Sequence, residues 1–232
     1  MQSKDRTYQV IAIVALVIGV CALTVGFAAF TNNLTISSHA EVSPGSSVLD
    51  VVFSTSNSSV VTGSVVGTAS GTSGASGATA TLTNTTVTGI QANFTEPGQK
   101  VTYDFYVYNN SAFTGYLTGI AFNNVSGEGA TKVCAPKSGS SNPATTGYTE
   151  ACNDITLKLT VGPTGSPLVN GISESKSAAQ VNDTAGLAAT AAYPVKVEIE
   201  YVSATPTPHT ADGDFSVNFG DIILTYSSVK GV

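Results

Sequence analysis

The chain is predicted to be all-β: an antiparallel β-sandwich preceded by one N-terminal hydrophobic helix. Three observations predict it. Tyr8 to Phe30 carries no charged residue. Beyond it, about seven to nine segments alternate apolar and polar side chains and are separated by turn residues. Charged residues make up 10% of the 232 positions, against about a quarter in ordinary soluble domains. Thr, Ser, Gly, Asn, Val and Ala take their place, and the β-branched and aromatic content is too high for disorder.

The first element is the helix. Met1–Thr7 is short and polar, with Lys4 and Arg6. At about 1.5 Å per residue, the apolar run that follows is long enough to cross a hydrocarbon core of about 30 Å. A basic start, an apolar middle and the small residues Gly26, Ala28 and Ala29 also fit a secretory signal cut between Ala28 and Ala29. The middle is longer than the usual 7–15 or so residues of a signal, which fits a retained anchor. Residues 1–28 are thus expected to be a signal or a transmembrane segment, and the rest is expected outside the cell or on its surface. Val20 before Cys21 is too bulky for lipoprotein processing.

The strands follow in order. Ala29–Ser38 alternates, with Phe30, Asn32, Leu34 and Ile36 on one face. Val48–Ser54 is the next candidate. Ser56–Ala80 is low in complexity and rich in Gly, Ser and Thr; it reads as a flexible excursion with a weak strand at Val60–Val66. Thr86–Phe94 alternates through Thr88, Ile90, Ala92 and Phe94. Glu96-Pro97-Gly98-Gln99 is a turn, because Pro presets its first position and Gly accepts a positive φ. In Lys100–Asn109, Val101, Tyr103, Phe105 and Val107 face one way. Tyr116–Asn123 follows with a bulge expected at Gly119. Ile155–Val161 points Ile155, Leu157, Leu159 and Val161 inward. Ser173–Ala192 is Ala-rich and reads as the one soluble helix, capped at Asn182 or Asp183. Val195–Val202 points Val195, Val197, Ile199 and Tyr201 inward. A Pro-rich link, Thr205–His209, precedes one long final strand, Phe215–Tyr226, with a bulge at Gly220. Residues 39–232 then form one sandwich domain.

Composition and motifs exclude several functions. The net charge is −6, with no basic cluster beyond the N-terminus, so no nucleic acid is expected as a partner. Cys134 and Cys152 are the only cysteines outside the apolar run. Outside a cell, two lone cysteines pair, and the loop 134–152 would then be a closed insertion; a metal pair or a reactive thiol would need further ligands nearby. His39 and His209 have no second ligand at helical or hairpin spacing. His209 lies near Asp212 and Asp214, where a loop metal site competes with the simpler reading of acids solvating a turn. No HExxH, GxSxG or phosphate-binding glycine motif occurs. No cofactor, metal or catalytic residue is expected. Asn-x-Ser/Thr occurs at Asn33, Asn57, Asn84, Asn93, Asn109, Asn124 and Asn182; in a chain so rich in these residues, most are chance. Tyr106 and Tyr108 fall on the outer face of their strand, as an assembly or carbohydrate surface or as cross-strand packing.

Several stretches together resemble one family. GFAAFTNN with a Ser/Gly-rich spacer and VLDVVFS, then EPGQKVTYDFYVYNNSAFTGYLTGI, then VKVEIEYV and DFSVNFGDIILTY, are similar to the TasA/camelysin family of bacterial surface and biofilm-matrix proteins. Ser56–Ala80 and the 134–152 insertion depart from its pattern. The resemblance implies a jelly-roll-like sandwich that self-associates into fibres. In such fibres the N-terminal strand of one subunit completes the sheet of the next. The donor would be residues 29–38, with Phe30, Leu34 and Ile36 buried. The metalloprotease label attached to camelysins has no motif to carry it here.

Three functions therefore remain at the level of sequence. The first is a fibre or matrix subunit. The second is a membrane-anchored monomeric sandwich that binds a ligand or partner. The third and weakest is a metal-dependent peptidase.

Overall fold

The computed structural model describes residues 31–36, 49–122, 132–203, 208–219 and 222–230. Seventeen strands occur in them. The first eight are β1 (Thr31–Ile36), β2 (Val51–Ser54), β3 (Gly63–Val66), β4 (Thr68–Ser70), β5 (Ser76–Gly77), β6 (Thr79–Leu82), β7 (Val87–Thr88) and β8 (Gln91–Phe94). Then come β9 (Lys100–Asn109), β10 (Tyr116–Phe122), β11 (Lys132–Pro136), β12 (Ile155–Val161), β13 (Val169–Ile172) and β14 (Lys176–Ser177). Last are β15 (Ala192–Tyr201), β16 (Phe215–Phe219) and β17 (Ile222–Ser227). The chain is all-β and its sheets are antiparallel.

The largest sheet runs β13-β12-β15-β9-β2, with β4 pairing the other end of β9. Its long members form because their apolar residues recur at every second position. Val101, Tyr103, Phe105 and Val107 of β9, Ile155, Leu157, Leu159 and Val161 of β12, and Val195, Val197, Ile199 and Tyr201 of β15 are all buried. The opposite face carries charge: Lys100 pairs with Glu198 at 3.1 Å and Lys158 with Glu200 at 2.7 Å. Pro194 is tolerated inside β15 because its missing N–H faces the same side as its carbonyl, which accepts the Gly162 N–H at 3.2 Å just past the end of β12 at Val161. The donor that proline lacks is thus lost beyond the regular ladder.

Two four-stranded sheets, β1-β17-β10-β14 and β11-β16-β8-β5, and a small β3-β6-β7 sheet complete the molecule. Phe94 and Phe215 of the β16 sheet pack edge-on against Tyr201 of β15, with ring centroids 5.9 and 5.6 Å apart. One continuous apolar core therefore lies between sandwich-like layers.

Four expectations change. The single last strand is two strands in two sheets, β16 and β17; its inward residues Phe215, Val217, Ile222, Leu224 and Tyr226 are buried as expected. Gly220, the expected bulge, is outside the described residues. The expected strand over Thr86–Phe94 divides at Gly89, whose φ of +80° breaks the ladder between β7 and β8. Within residues 56–80, β3 falls inside the weak strand expected at Val60–Val66, while β4, β5 and the start of β6 lie where only a flexible excursion was expected. The expected helix over 173–192 is β14 and one turn, Ala178–Val181. Ser177 and Gln180 box its start, and Asn182 closes it in the left-handed region at φ 50°. Asn182 therefore ends the helix that it was expected to begin. Beyond it, Leu187 is fully buried and exchanges backbone hydrogen bonds with Gly115 at 2.9 and 2.6 Å. Tertiary bonding thus overrides alanine's helical preference.

The bulge expected in β10 is present: Leu117 faces Tyr226 and Gly119 faces Thr225, so Thr118 is the extra residue. Gly98 takes φ +92° in the expected turn before β9.

Candidate functional site

Strand β1 lies at the outer edge of its sheet, paired antiparallel to β17 along all six residues. The register sets Asn32, Leu34 and Ile36 opposite Tyr226, Leu224 and Ile222, and Thr31, Asn33 and Thr35 opposite Ser227, Thr225 and Ile223. Directly opposed residues are neighbours on one face. Asn32, Leu34 and Ile36 thus stand at register positions opposite the buried residues of β17. On its other side β17 pairs with β10 from Tyr116 to Phe122. β17 thus has one edge held by a strand distant in sequence, and one covered by the N-terminal segment alone. Ala28, Ala29 and Phe30 lie outside the described residues, as does His39.

A buried polar cluster supports β17 from below. Asp183 is buried, and its carboxylate accepts the Leu117 N–H at 3.0 Å and the Gly186 N–H at 2.8 Å. Tyr193 donates to the Gly186 carbonyl at 2.8 Å. Burial, then the Asp183 charge, pushes the Tyr193 hydroxyl up to about 12. The Tyr226 hydroxyl is fully buried and has no hydrogen-bond partner among the described residues. Burial pushes its pKa well up. Asp183, a candidate helix cap by sequence, instead ties the turn at Gly186 to β10. The signal for its role was the glycine three residues on, since Asp side chains bond nearby backbone N–H groups in turns.

Cys134 and Cys152 form a disulfide. The insertion that they close docks on the Asp212-Gly213-Asp214 loop. Asp212 accepts the Thr145 hydroxyl and the N–H groups of Thr145 (2.7 Å) and Thr146 (2.9 Å). Those bonds, the Thr145 hydroxyl first, hold its carboxyl down at about 2. Asp214 accepts the Ser140 hydroxyl at 2.5 Å. His209 turns away from both acids: its Nδ1 lies 3.0 Å from Asp154 and its N–H donates to the same carboxylate at 2.6 Å. Burial acts to raise the Asp154 pKa, and these bonds outweigh it and lower the pKa. The carboxylates of the Asp-Gly-Asp segment thus serve to receive the insertion. No group of three or more His, Cys, Asp or Glu able to hold a metal occurs among the described residues.

The outer tyrosines of β9 are packed between strands. Tyr108 is buried and stands opposite Ala192 and Val52, while Tyr106 is half-buried opposite Pro194 and Ser54. Cross-strand packing accounts for both. Among the described residues no helix is long and apolar enough to cross a membrane.

No protein family, curated protein or solved structure matches the chain.

Proposed function

We propose that this chain is an extracellular structural protein, the subunit of a surface or biofilm-matrix fibre assembled by exchange of its N-terminal strand. The observation that carries the reading is the position of β1. It is a terminal strand, it sits at a sheet edge, and its six-residue register covers one whole edge of β17. The same segment of another copy would make the same ladder. Strand addition of this kind satisfies an open edge's N–H and C=O groups, and alternate side chains supply the fit. In this reading the sandwich is a jelly roll, residues 1–28 direct export, and the cut before Ala29 frees residues 29–38 to act as donor. The resemblance to TasA and camelysin supports it. No catalytic role is assigned, since His209 is engaged with the Asp154 carboxylate and Asp212 and Asp214 with backbone N–H and hydroxyl partners.

A second reading has one observation in its favour. β1 pairs with β17 of its own chain, as in a self-completed monomer displayed on a membrane by an uncleaved helix. A cysteine pair at facing positions separates the two. Asn33→Cys with Thr225→Cys, oxidised in material taken from the cell surface, is expected to give ladders of linked subunits. Internally linked monomer alone would reject exchange. N-terminal sequencing of the same material is expected to start at Ala29, and an intact Met1 would favour the anchored monomer.

A further inference from the structure

Seven Asn-x-Ser/Thr sequences occur in the chain, and the structure sorts them. Asn109 is buried, and its amide donates to the Phe113 and Leu187 carbonyls at 2.6 and 2.8 Å. The Asn93 amide, inside β8, is bonded to Ser76 at 3.3 and 3.1 Å. Asn84 is exposed, but the hydroxyl of its sequence, on Thr86, is buried against Thr83 at 2.8 Å. Asn182 is exposed, but Asp183 beside it is buried and held. In the fifth sequence whose burial is described, Asn57, Ser58 and Ser59 are all exposed.

The turn that presents them is built. Ser54, fully buried, accepts the N–H groups of Ser56 and Val61, both at 3.0 Å, and donates to the Ser59 carbonyl at 2.8 Å. A single buried hydroxyl thus pins the base of the turn while its tip projects. The Asn57 amide itself makes no hydrogen bond among the described residues.

We propose that Asn57 is an N-glycosylation site, modified on the folded chain. The proposal rests on the reading that the chain is exported. The donor is a sugar joined through phosphate to a polyprenol. The Asn57 Nδ2 bonds to the anomeric carbon as the carbon–oxygen bond to phosphate breaks. The polyprenyl phosphate leaves with the electron pair, and the amide gives up one proton to a base of the transferase. An enzyme acting on the folded chain needs the amide and the hydroxyl two residues on together. Among the sequences whose burial is described, the 57–59 turn is the one that offers both on a tripeptide exposed at all three positions.

The test uses the full chain recovered from the outside of the cells that make it, with peptide mass spectrometry across residues 49–122. Asn57 is expected to carry sugar, and the peptides bearing Asn93 and Asn109 to be bare. Asn57→Gln and Ser59→Ala are each expected to abolish the sugar mass, and Ser59→Thr to keep it. A bare Asn57 on external protein, or sugar on Asn93 or Asn109, overturns the proposal and leaves the export reading intact. Chain found only inside the cells overturns both.

Discussion

Two long inserted segments, residues 56–80 and 134–152, are held by opposite means. The first has no cysteine and no charge. It is pinned from beneath by side chains of the largest sheet. The Tyr103 hydroxyl lies 2.6 Å from the Gln91 carbonyl and 2.9 Å from that of Ala78, which draws the segment down onto β8 and β9. Gln99, fully buried, donates to the Ser73 carbonyl at 2.9 Å and accepts the Thr95 N–H at 2.8 Å. Above Tyr103, Gly67 and Gly77 pass so closely that a Cβ on Gly77 would stand 2.4 Å from the Gly67 Cα. The second segment is closed by a disulfide and docked through the carboxylates of exposed Asp212 and half-buried Asp214. The difference shows two ways for a chain poor in charge to order Gly- and Ser-rich insertions. One uses neutral polar groups inside the core. The other uses a covalent link and ionised groups at the rim.

The largest expected effect is on the covalent side. Cys134→Ser with Cys152→Ser is expected to cost about 3 kcal/mol, the loop-closure entropy returned to the unfolded chain. Urea unfolding measures it. A loss below about 1 kcal/mol, no more than one ordinary hydrogen bond, would mean that the Asp212 and Asp214 bonds and the β11–β16 ladder hold the insertion without the disulfide.

Gly77→Ala comes next. The clash is with backbone, so no side chain can step aside, and a loss of about 2 kcal/mol is expected, in the range for overpacking. Tyr103→Phe keeps the ring and removes the hydroxyl, at about 1 kcal/mol for a net hydrogen bond. It is expected to speed proteolysis within 67–78 more than within 134–152. Equal speeding in both segments would break the contrast, since it would mean that the two are ordered as one unit.

These pins explain what was legible in the residues and what was not. β9, β12 and β15 are readable because period-2 alternation states which side is buried, and their twelve alternating residues are the centre of the core. Alternation is a local signal. It carries β16 into β17 as one strand, because nothing local says that the partner changes from β8 to β10. The order of 56–80 depends on Tyr103 reaching Ala78, and the end of the helix on Asp183 reaching Leu117. Both are contacts between distant positions, invisible to composition. At the proposed assembly site the alternation of residues 29–38 was visible, and the backbone register of β1 has the same parity. The buried cluster of Asp183, Tyr193 and Tyr226 beneath β17 was not visible, for no motif links those three positions.

The smallest effect is a change of slope with pH. Asp212 is held at about 2 by the Thr145 hydroxyl and the Thr146 and Thr145 N–H groups, against an ordinary 3.8. A carboxyl lowered in the folded state releases its proton more readily there than in the unfolded chain. Its contribution is therefore complete above about pH 4 and is lost as pH falls toward 2. Asp212→Asn is expected to leave the acid limb of the stability profile shallower and to expose the insertion to protease at neutral pH. In the same titration the 56–80 segment, whose pins Tyr103 and Gln99 do not change charge in acid, is expected to stay protected as the pH falls. Its release at the same pH as the insertion would show that the rim carboxylates hold both segments, and the division between core and rim would fail.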